Sequence, residues 1–336
     1  MSKFQIGLDA GNYDTKTSHS STATGFSSYT SLPFAANDCL FYNGEFYVPE
    51  NRRFPYTKDK TINENLFILS LFGIAKEILV KATAINDKKI KEAATNSALK
   101  SKILGVQGEI DRITAIDLGI GLPPTHCSTL REPSIKYYED RMKDGVQFEY
   151  NNYKYNLRLT KCKCYPQDMA ALIVYKPKDL NSITNTLTSY YGIDIGGWTV
   201  DVVAIMKGTI QMSLCDSLPL GILAMFNTMV REIEIETGTR LTHENIESVL
   251  LRMPTILDEH IVELINAKAK AWFENILREL AQLGIEPATY PIIFLGGGAK
   301  LFEKYIKEST LIKRFEIIGD PHANAEAYRI LLKSDK

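Results

Sequence analysis

Phe4 to Asp9 alternates apolar and polar or small residues and predicts a strand that delivers a carboxylate at its end. Gly11 to Asp14 breaks that strand, Thr15 to His19 returns, and Phe26 to Ser31 reads as the third member of an antiparallel meander. Half a chain later, Thr188 to Gly197, Thr199 to Met206 and Thr209 to Cys215 repeat the pattern, with Lys207-Gly208 as a turn. The second half therefore restarts the first. Between the copies, Asn63 to Ala82 carries apolar residues at helical spacing (Leu66, Phe67, Leu69, Phe72, Ile74, Ile78), and Asn43-Gly44 turns a hairpin within Cys39 to Val48. Ile113 to Leu122 reads as a buried strand, Thr129 to Met142 as a helix containing Pro133, and Val146 to Leu159 as a hairpin. The strand running to Tyr165 and Pro166 leads into a helix over Gln167 to Tyr175.

The rest of the second half predicts helices over Pro219 to Glu236, closed by Gly238, from the Thr242 cap to Leu251, and over Asp258 to Leu283, ended by Gly284. An apolar run, Pro291 to Leu295, gives way to Gly296-Gly297-Gly298 ahead of a helix from Lys300 to Glu308. Asp320-Pro321 launches a final helix to Leu332. The pattern is an α/β chain built from a duplicated unit.

With 336 residues, 45% of them hydrophobic, the chain can furnish two ordinary cores, as the duplication asks. The formal net charge of −1 supplies no global field toward nucleic acid or anionic lipid, so contact with DNA is expected only through a partner. No basic leader, run of about 18 apolar residues or amphipathic terminus is evident, so the expected location is cytoplasmic, with no membrane partner. The five cysteines are expected to be free thiols; Cys162 and Cys164 share one face of a strand rather than forming half of a zinc site.

The two hairpins carry the candidate chemistry. Gly7-Leu8-Asp9-Ala10-Gly11-Asn12-Tyr13-Asp14-Thr15 recurs in altered form as Gly192-Ile193-Asp194-Ile195-Gly196-Gly197-Trp198-Thr199-Val200. In each, a carboxylate precedes a glycine turn whose amides can receive phosphate oxygens. Asp9 and Asp194 suit Mg²⁺, which keeps most of its waters and takes one or two carboxylates plus substrate phosphates. Lys16 is a candidate point charge for a β- or γ-phosphate. Gly296, Gly297 and Gly298, followed by Lys300, allow backbone to approach a ribose or phosphate next to a helix start. Asp117-Leu118-Gly119 looks similar, but no hairpin strand follows it, and it is read as a decoy.

In this order the motifs resemble the phosphate 1, phosphate 2 and adenosine motifs of the actin superfamily, matched here by Asp9 to Lys16, Asp194 to Asp201, and Leu295 to Lys300. The Gly-Leu-Pro at 121 to 123, Pro166-Gln167 and Asp320 to Ala325 look most like plasmid-segregation actins of the ParM and Alp type. That resemblance implies an actin-like (ribonuclease H-like) duplicated two-lobe fold with nucleotide in the interdomain cleft. Domain I would cover residues 1–178, with the C-terminal helix 320–336 packing back on it, and domain II residues 179–319. It further implies phosphate or nucleotide contacts from Gly11, Asn12, Tyr13, Lys16, Gly196, Gly197, Trp198 and Thr199, with Glu244 near the ribose or base. Gln167, or its neighbour Asp168, would orient the attacking water. Trp198 departs from the small or hydroxyl residue usual in relatives, leaving phosphate contact there to backbone amides or Thr199. Ala327 stands where many relatives have glycine.

The implied function is a Mg²⁺-dependent ATPase or GTPase that forms head-to-tail filaments and moves plasmid DNA through a DNA-binding adaptor. The alternative is a small-molecule kinase of the same superfamily with Asp168 as base; its substrate insertions would have to come from short, largely helical segments. A chaperone of this superfamily needs a long peptide-binding extension, which the chain up to Lys336 does not carry.

Overall fold

The computed structural model describes residues 3–34, 37–55, 57, 59–95, 103–175 and 181–334. They divide into two units. The first comprises Met1–Leu122, His126–Val174 and His322–Lys336; the second comprises Pro123–Thr125 and Tyr175–Pro321. The boundary expected at 178/179 lies outside the described residues.

The first unit runs β1 (Phe4–Ala10), β2 (Asp14–Lys16), β3 (Ser21–Ala23), β4 (Phe26–Tyr29), β5 (Leu40–Tyr42), β6 (Glu45–Pro49), α1 (Asn65–Thr95), α2 (Gly105–Ile110), β7 (Ala115–Leu122), α3 (Cys127–Met142), β8 (Val146–Tyr150), β9 (Tyr153–Pro166) and α4 (Met169–Val174). Its strands form one sheet in the order β3-β2-β1-β7-β9-β8-β5-β6-β4. The pairs β1/β7 and β7/β9 are parallel, whereas β1/β2 and β2/β3 are antiparallel. Ile6, Leu8, Ile116, Leu118 and Ile120 from the central strands bury against Phe67, Leu71, Phe72 and Ile78 of α1.

The second unit runs α5 (Ile183–Thr186), β10 (Tyr190–Ile195), β11 (Val200–Met206), β12 (Thr209–Ile210), β13 (Asp216–Leu218), α6 (Ile222–Thr237), α7 (His243–Leu250), α8 (Glu259–Gln282), β14 (Ile292–Leu295), α9 (Gly296–Leu301), α10 (Glu303–Glu308) and β15 (Phe315–Ile317). Its sheet, β12-β11-β10-β14-β15, repeats the sense of β3-β2-β1-β7-β9: two antiparallel pairs, then two parallel ones. The duplication is therefore one of topology as well as motif.

Helix α11 (Ala323–Ser334) belongs to the first unit and lies directly on β1 and β7. A Cβ added at Gly7 would sit 1.7 Å from the Ala325 carbonyl oxygen, so only glycine allows this helix so close to the sheet. Its start is two residues beyond the expected Pro321, because Asp320-Pro321 forms the approach and the His322 carbonyl accepts the Glu326 amide.

Several expectations need correction. The third member of the opening meander is β3, not Phe26 to Ser31; β4 pairs with β6 on the far edge. Helix α1 continues well past Ala82 to Thr95. Thr209 to Cys215 is not one strand, since Met212–Leu214 is a 3₁₀ turn and β13 supplies the remaining pairing to β11. In β9 the buried face switches parity between Leu159 and Cys162 because Thr160 is bulged out of register between Ile116/Leu159 and Asp117/Lys161. The Thr160 hydroxyl bonds the Ile116 carbonyl and Asp117 there, which gives Asp117 a structural partner. Cys162 and Cys164 are buried free thiols on one face, held well above the ordinary thiol pKa by burial.

Candidate functional site

In the first hairpin, β1 ends on Ala10 one residue after Asp9, which is only 9% exposed and faces Lys16 across the β1/β2 ladder. Three carbonyls of the turn between them are bonded to protein donors. Ala10 accepts from the Lys60 ammonium, Gly11 from the Thr24 hydroxyl at 3.0 Å, and Tyr13 from the Thr24 amide at 3.0 Å and from Arg53 Nε at 3.3 Å. Because the C=O and N–H of a trans peptide point in opposite directions, the amides of Gly11 and Asn12 are turned away from those partners. Arg53 also reaches Asp14 at 3.4 Å and stacks over the Tyr13 ring at 4.1 Å. Burial lowers the Lys60 pKa to about 8, partly offset by the nearby Asp9 charge.

The second hairpin reaches the same result by other means. β10 ends on Ile195 one residue after Asp194, the Gly196 amide bonds the Thr199 carbonyl at 2.9 Å, and β11 then returns. The carbonyls of Gly196, Gly197 and Trp198 accept the Ile222, Leu223 and Gly221 amides at 3.0, 2.7 and 3.1 Å. The first turn of α6 thus caps the hairpin with donors that a helix otherwise leaves unpaired. Gly221 is required for that approach: an added Cβ would lie 2.3 Å from the Trp198 carbonyl carbon. The amides of Gly197, Trp198 and Thr199 are accordingly directed away from α6. The Thr199 hydroxyl donates to Asp201 at 3.0 Å, so its proton is engaged within the protein.

Topological equivalence exposes a difference between the halves. Asp9 has Lys16 opposite it, but Asp194 has Asp201 at the same ladder position. Asp194 is 5% exposed, and its Oδ1 is buried without a hydrogen-bond partner. Two buried carboxylates at one ladder position, one with an unsatisfied oxygen, form an electron-rich pair of the chemistry that suits a hydrated divalent cation. Burial, opposed by hydrogen bonds from Ser217 and Thr199 and reinforced by the Asp194 charge, raises the Asp201 pKa to about 6.

A carboxyl raised in the folded state holds its proton between pH 4 and 6, where the unfolded chain has lost it. Stability from this group is thus full below pH 4 and lost as the pH rises through 6. Asp201→Asn is expected to gain about 1 to 2 kcal/mol over wild type at pH 7.5 in the absence of ligand, and to flatten that loss. Thermal melts from pH 4 to 8 check it; parallel profiles for the two proteins would contradict it.

The glycine triplet is not a loop preceding Lys300. α9 starts at Gly296, and the three glycines form its first turn. Gly296 has φ +80°, and an added Cβ would lie 1.9 Å from Asp194 Oδ1; at Gly298 it would lie 2.4 Å from the Ile195 side chain. These two glycines seat α9 on the end of β10. Gly297 is different: it is exposed and a Cβ there meets nothing within 4 Å, so packing does not require glycine. Lys300 follows on the same short helix, exposed, as is Glu244 in the first turn of α7 behind the Thr242 capping box.

Gln167 and Asp168 follow the end of β9. The Gln167 amide bonds the Leu122 carbonyl at 2.7 Å, and its side chain is half-buried. Asp168 is fully buried with φ +62°, and it is locked to α11: its amide donates to Asn324 Oδ1 at 2.9 Å while Asn324 Nδ2 donates to Asp168 Oδ1 at 2.8 Å. Asp168 thereby anchors the peptide that carries Gln167. Sequence reasoning missed Thr24, Arg53, Lys60, Gly221 and Asn324, which act through tertiary contacts rather than through any motif.

The family described as "Archaeal actin homologue MreB-like, C-terminal" matches residues 192–308, from the middle of β10 to the end of α10. A search of curated proteins gives no match. Among solved structures, Ta0583, an archaeal actin homolog, is 16% identical with TM-score 0.66, over 99% of both chains. A 15-stranded ParM filament from Clostridium botulinum is 19% identical with TM-score 0.68, over 99% of this chain and 100% of that one. ParM with ATP from Bacillus thuringiensis is 11% identical with TM-score 0.63, over the whole of both. The chain has the actin-like two-lobe fold, and these neighbours are of the kind its motifs resemble.

Proposed function

We propose that this chain, starting from its actin-like fold, is a polymerising protein that binds and hydrolyses ATP or GTP. The observation carrying this reading is that in both hairpin turns successive carbonyls, Ala10 and Gly11 in one and Gly196 to Trp198 in the other, are bonded to protein donors, so that the amides that follow them are turned outward as an anion nest beside a buried carboxylate. Gly11, Asn12, Tyr13, Gly197, Trp198 and Thr199 would receive phosphate oxygens, with Lys16 as a further charge, while the Gly196 amide, bonded to the Thr199 carbonyl, would hold the turn closed. Gly297, Lys300 and Glu244 would serve the nucleoside. Asp194 and Asp9 would hold Mg²⁺ through water, and the bound ion would neutralise charge on the phosphates.

Gln167 would orient the attacking water, since the Asp168 carboxylate is already bonded to Asn324. A glutamine positions water without being a strong base, so hydrolysis would be slow and suited to timing. Gln167→Ala is expected to slow hydrolysis by about 10- to 100-fold while changing nucleotide affinity by less than about threefold. Phosphate release and nucleotide titration check this; equal loss in both would remove the role.

Head-to-tail contacts that do not close into a ring would propagate as a filament, loosened by hydrolysis. The neighbours include ParM, Alp12 and AlfA filament structures, which supports self-assembly as the readout. Plasmid segregation through a DNA-binding adaptor in the cytoplasm completes the proposal. Among the described residues no helix is long and apolar enough to cross a membrane. Sedimentation and light scattering with ATP or GTP and Mg²⁺ test the reading. A nucleotide-dependent pellet is expected; none over a broad concentration range, with phosphate transferred to a small acceptor, would favour the kinase alternative.

A further inference from the structure

We propose that Lys60 is a second phosphate-contacting cation of the first hairpin, acting on the terminal phosphates of a nucleoside triphosphate, with Arg53 as the residue that positions the turn beneath it. The inference rests on the nucleotide reading above and deepens it. Lys60 opens a 3₁₀ turn, Lys60–Ile62, whose start is fixed by Asp59: the Asp59 carboxylate accepts the Thr61 amide at 3.0 Å and the Thr61 hydroxyl at 2.6 Å. Just beyond, the Tyr137 hydroxyl donates to the Asn63 carbonyl at 2.9 Å and ties the segment to α3. The backbone that launches the lysine is therefore held at both ends.

From that base the ammonium reaches the Ala10 carbonyl, one residue past Asp9 and at the lip of the amide nest. An ammonium has three donors, and a carbonyl takes one of them. Burying a cation costs free energy, and the nearby Asp9 charge offsets part of that cost here. A charge placed beside amides already directed outward adds to their field in the same direction, which is what a triphosphate requires. Arg53 lies on the other flank, where its bonds to the Tyr13 carbonyl and Asp14 consume its planar fork on the protein. Its part is to hold the turn, and the ammonium that stands at the nest is that of Lys60.

The test compares wild type, Lys60→Met and Lys60→Arg in thermal melts without ligand and with MgATP or MgGTP, alongside nucleotide titration. In parallel, wild-type protein is acetylated with and without nucleotide, and mass spectrometry reads Lys60 against the exposed turn residue Lys207. We expect ligand-free Lys60→Met to melt within about 3 °C of wild type, and its nucleotide affinity to fall by about 30-fold or more. Lys60→Arg should recover part of the affinity, and nucleotide should slow acetylation of Lys60 but not of Lys207. Unchanged affinity in Lys60→Met, or acetylation of Lys60 indifferent to nucleotide in a wild type that binds it, overturns the proposal and leaves the nucleotide reading intact. A wild type with no melting shift by either nucleotide overturns both. Should Lys60→Met fail to fold, the acetylation experiment on wild type decides alone.

Discussion

Asp194→Ala is expected to abolish magnesium-dependent nucleotide hydrolysis, a loss of about 100-fold or more, corresponding to the several kcal/mol a metal supplies to phosphate charge. The reason lies in the asymmetry of the two hairpins. Asp9 sits opposite a cation, Lys16, whereas Asp194 sits opposite a second acid, Asp201, and keeps one buried oxygen without a partner. Removing Asp194 takes away the ligand and relieves Asp201 of a like charge, so the ligand-free protein should become no less stable even as activity disappears. That opposition of stability and activity separates a functional acid from a turn cap, whose loss would lower the melting temperature. Phosphate release at varied Mg²⁺, together with melting curves, checks it. Activity within a few-fold of wild type would assign the metal elsewhere.

Neighbouring glycines should give opposite outcomes. Gly296→Ala is expected to cost about 3 kcal/mol or more, because it combines a left-handed backbone with a Cβ driven into the Asp194 carboxylate. Gly297→Ala should instead gain about 0.5 to 1 kcal/mol, as alanine in an unobstructed helical position does, yet weaken nucleotide binding by about 10-fold or more through crowding of the nucleoside. Melting curves and nucleotide titration on the two proteins measure this. A stable Gly297→Ala protein with wild-type affinity would remove that glycine from the site.

Local chemistry made much of the fold legible. Asn43-Gly44 turns its hairpin with the positive φ values those two residue types favour, Lys207-Gly208 does so with the lysine also at positive φ, and Gly238 closes α6 in the left-handed region. The Thr242 box also caps α7 where expected. Elsewhere the deciding interactions are distant. The short β3 has no room for alternation, and β4 takes its partner from β6, about twenty residues on. The bulge at Thr160 is invisible until β7 sets the register. Helix α9 begins on three poor helix formers because packing on β10 outweighs propensity.

The candidate site divides the same way. Both acids and both glycine turns could be read directly, since the duplicated motif names them. What the repeat cannot reveal is how the turns are held: Lys60, Thr24 and Arg53 in one half, the first turn of α6 in the other. The two halves share a backbone design and reach it with unrelated donors. Asp201 illustrates the intermediate case, lying within the motif while owing its importance to ladder register with Asp194.

The most direct measurement is an experimental structure of the full chain with a non-hydrolysable nucleoside triphosphate and Mg²⁺. The account predicts phosphate oxygens within hydrogen-bonding distance of the Gly11 and Asn12 amides and of the Gly197 to Thr199 amides, with the hydrated metal beside Asp194. Phosphates bound elsewhere, with those amides still facing water, would contradict it.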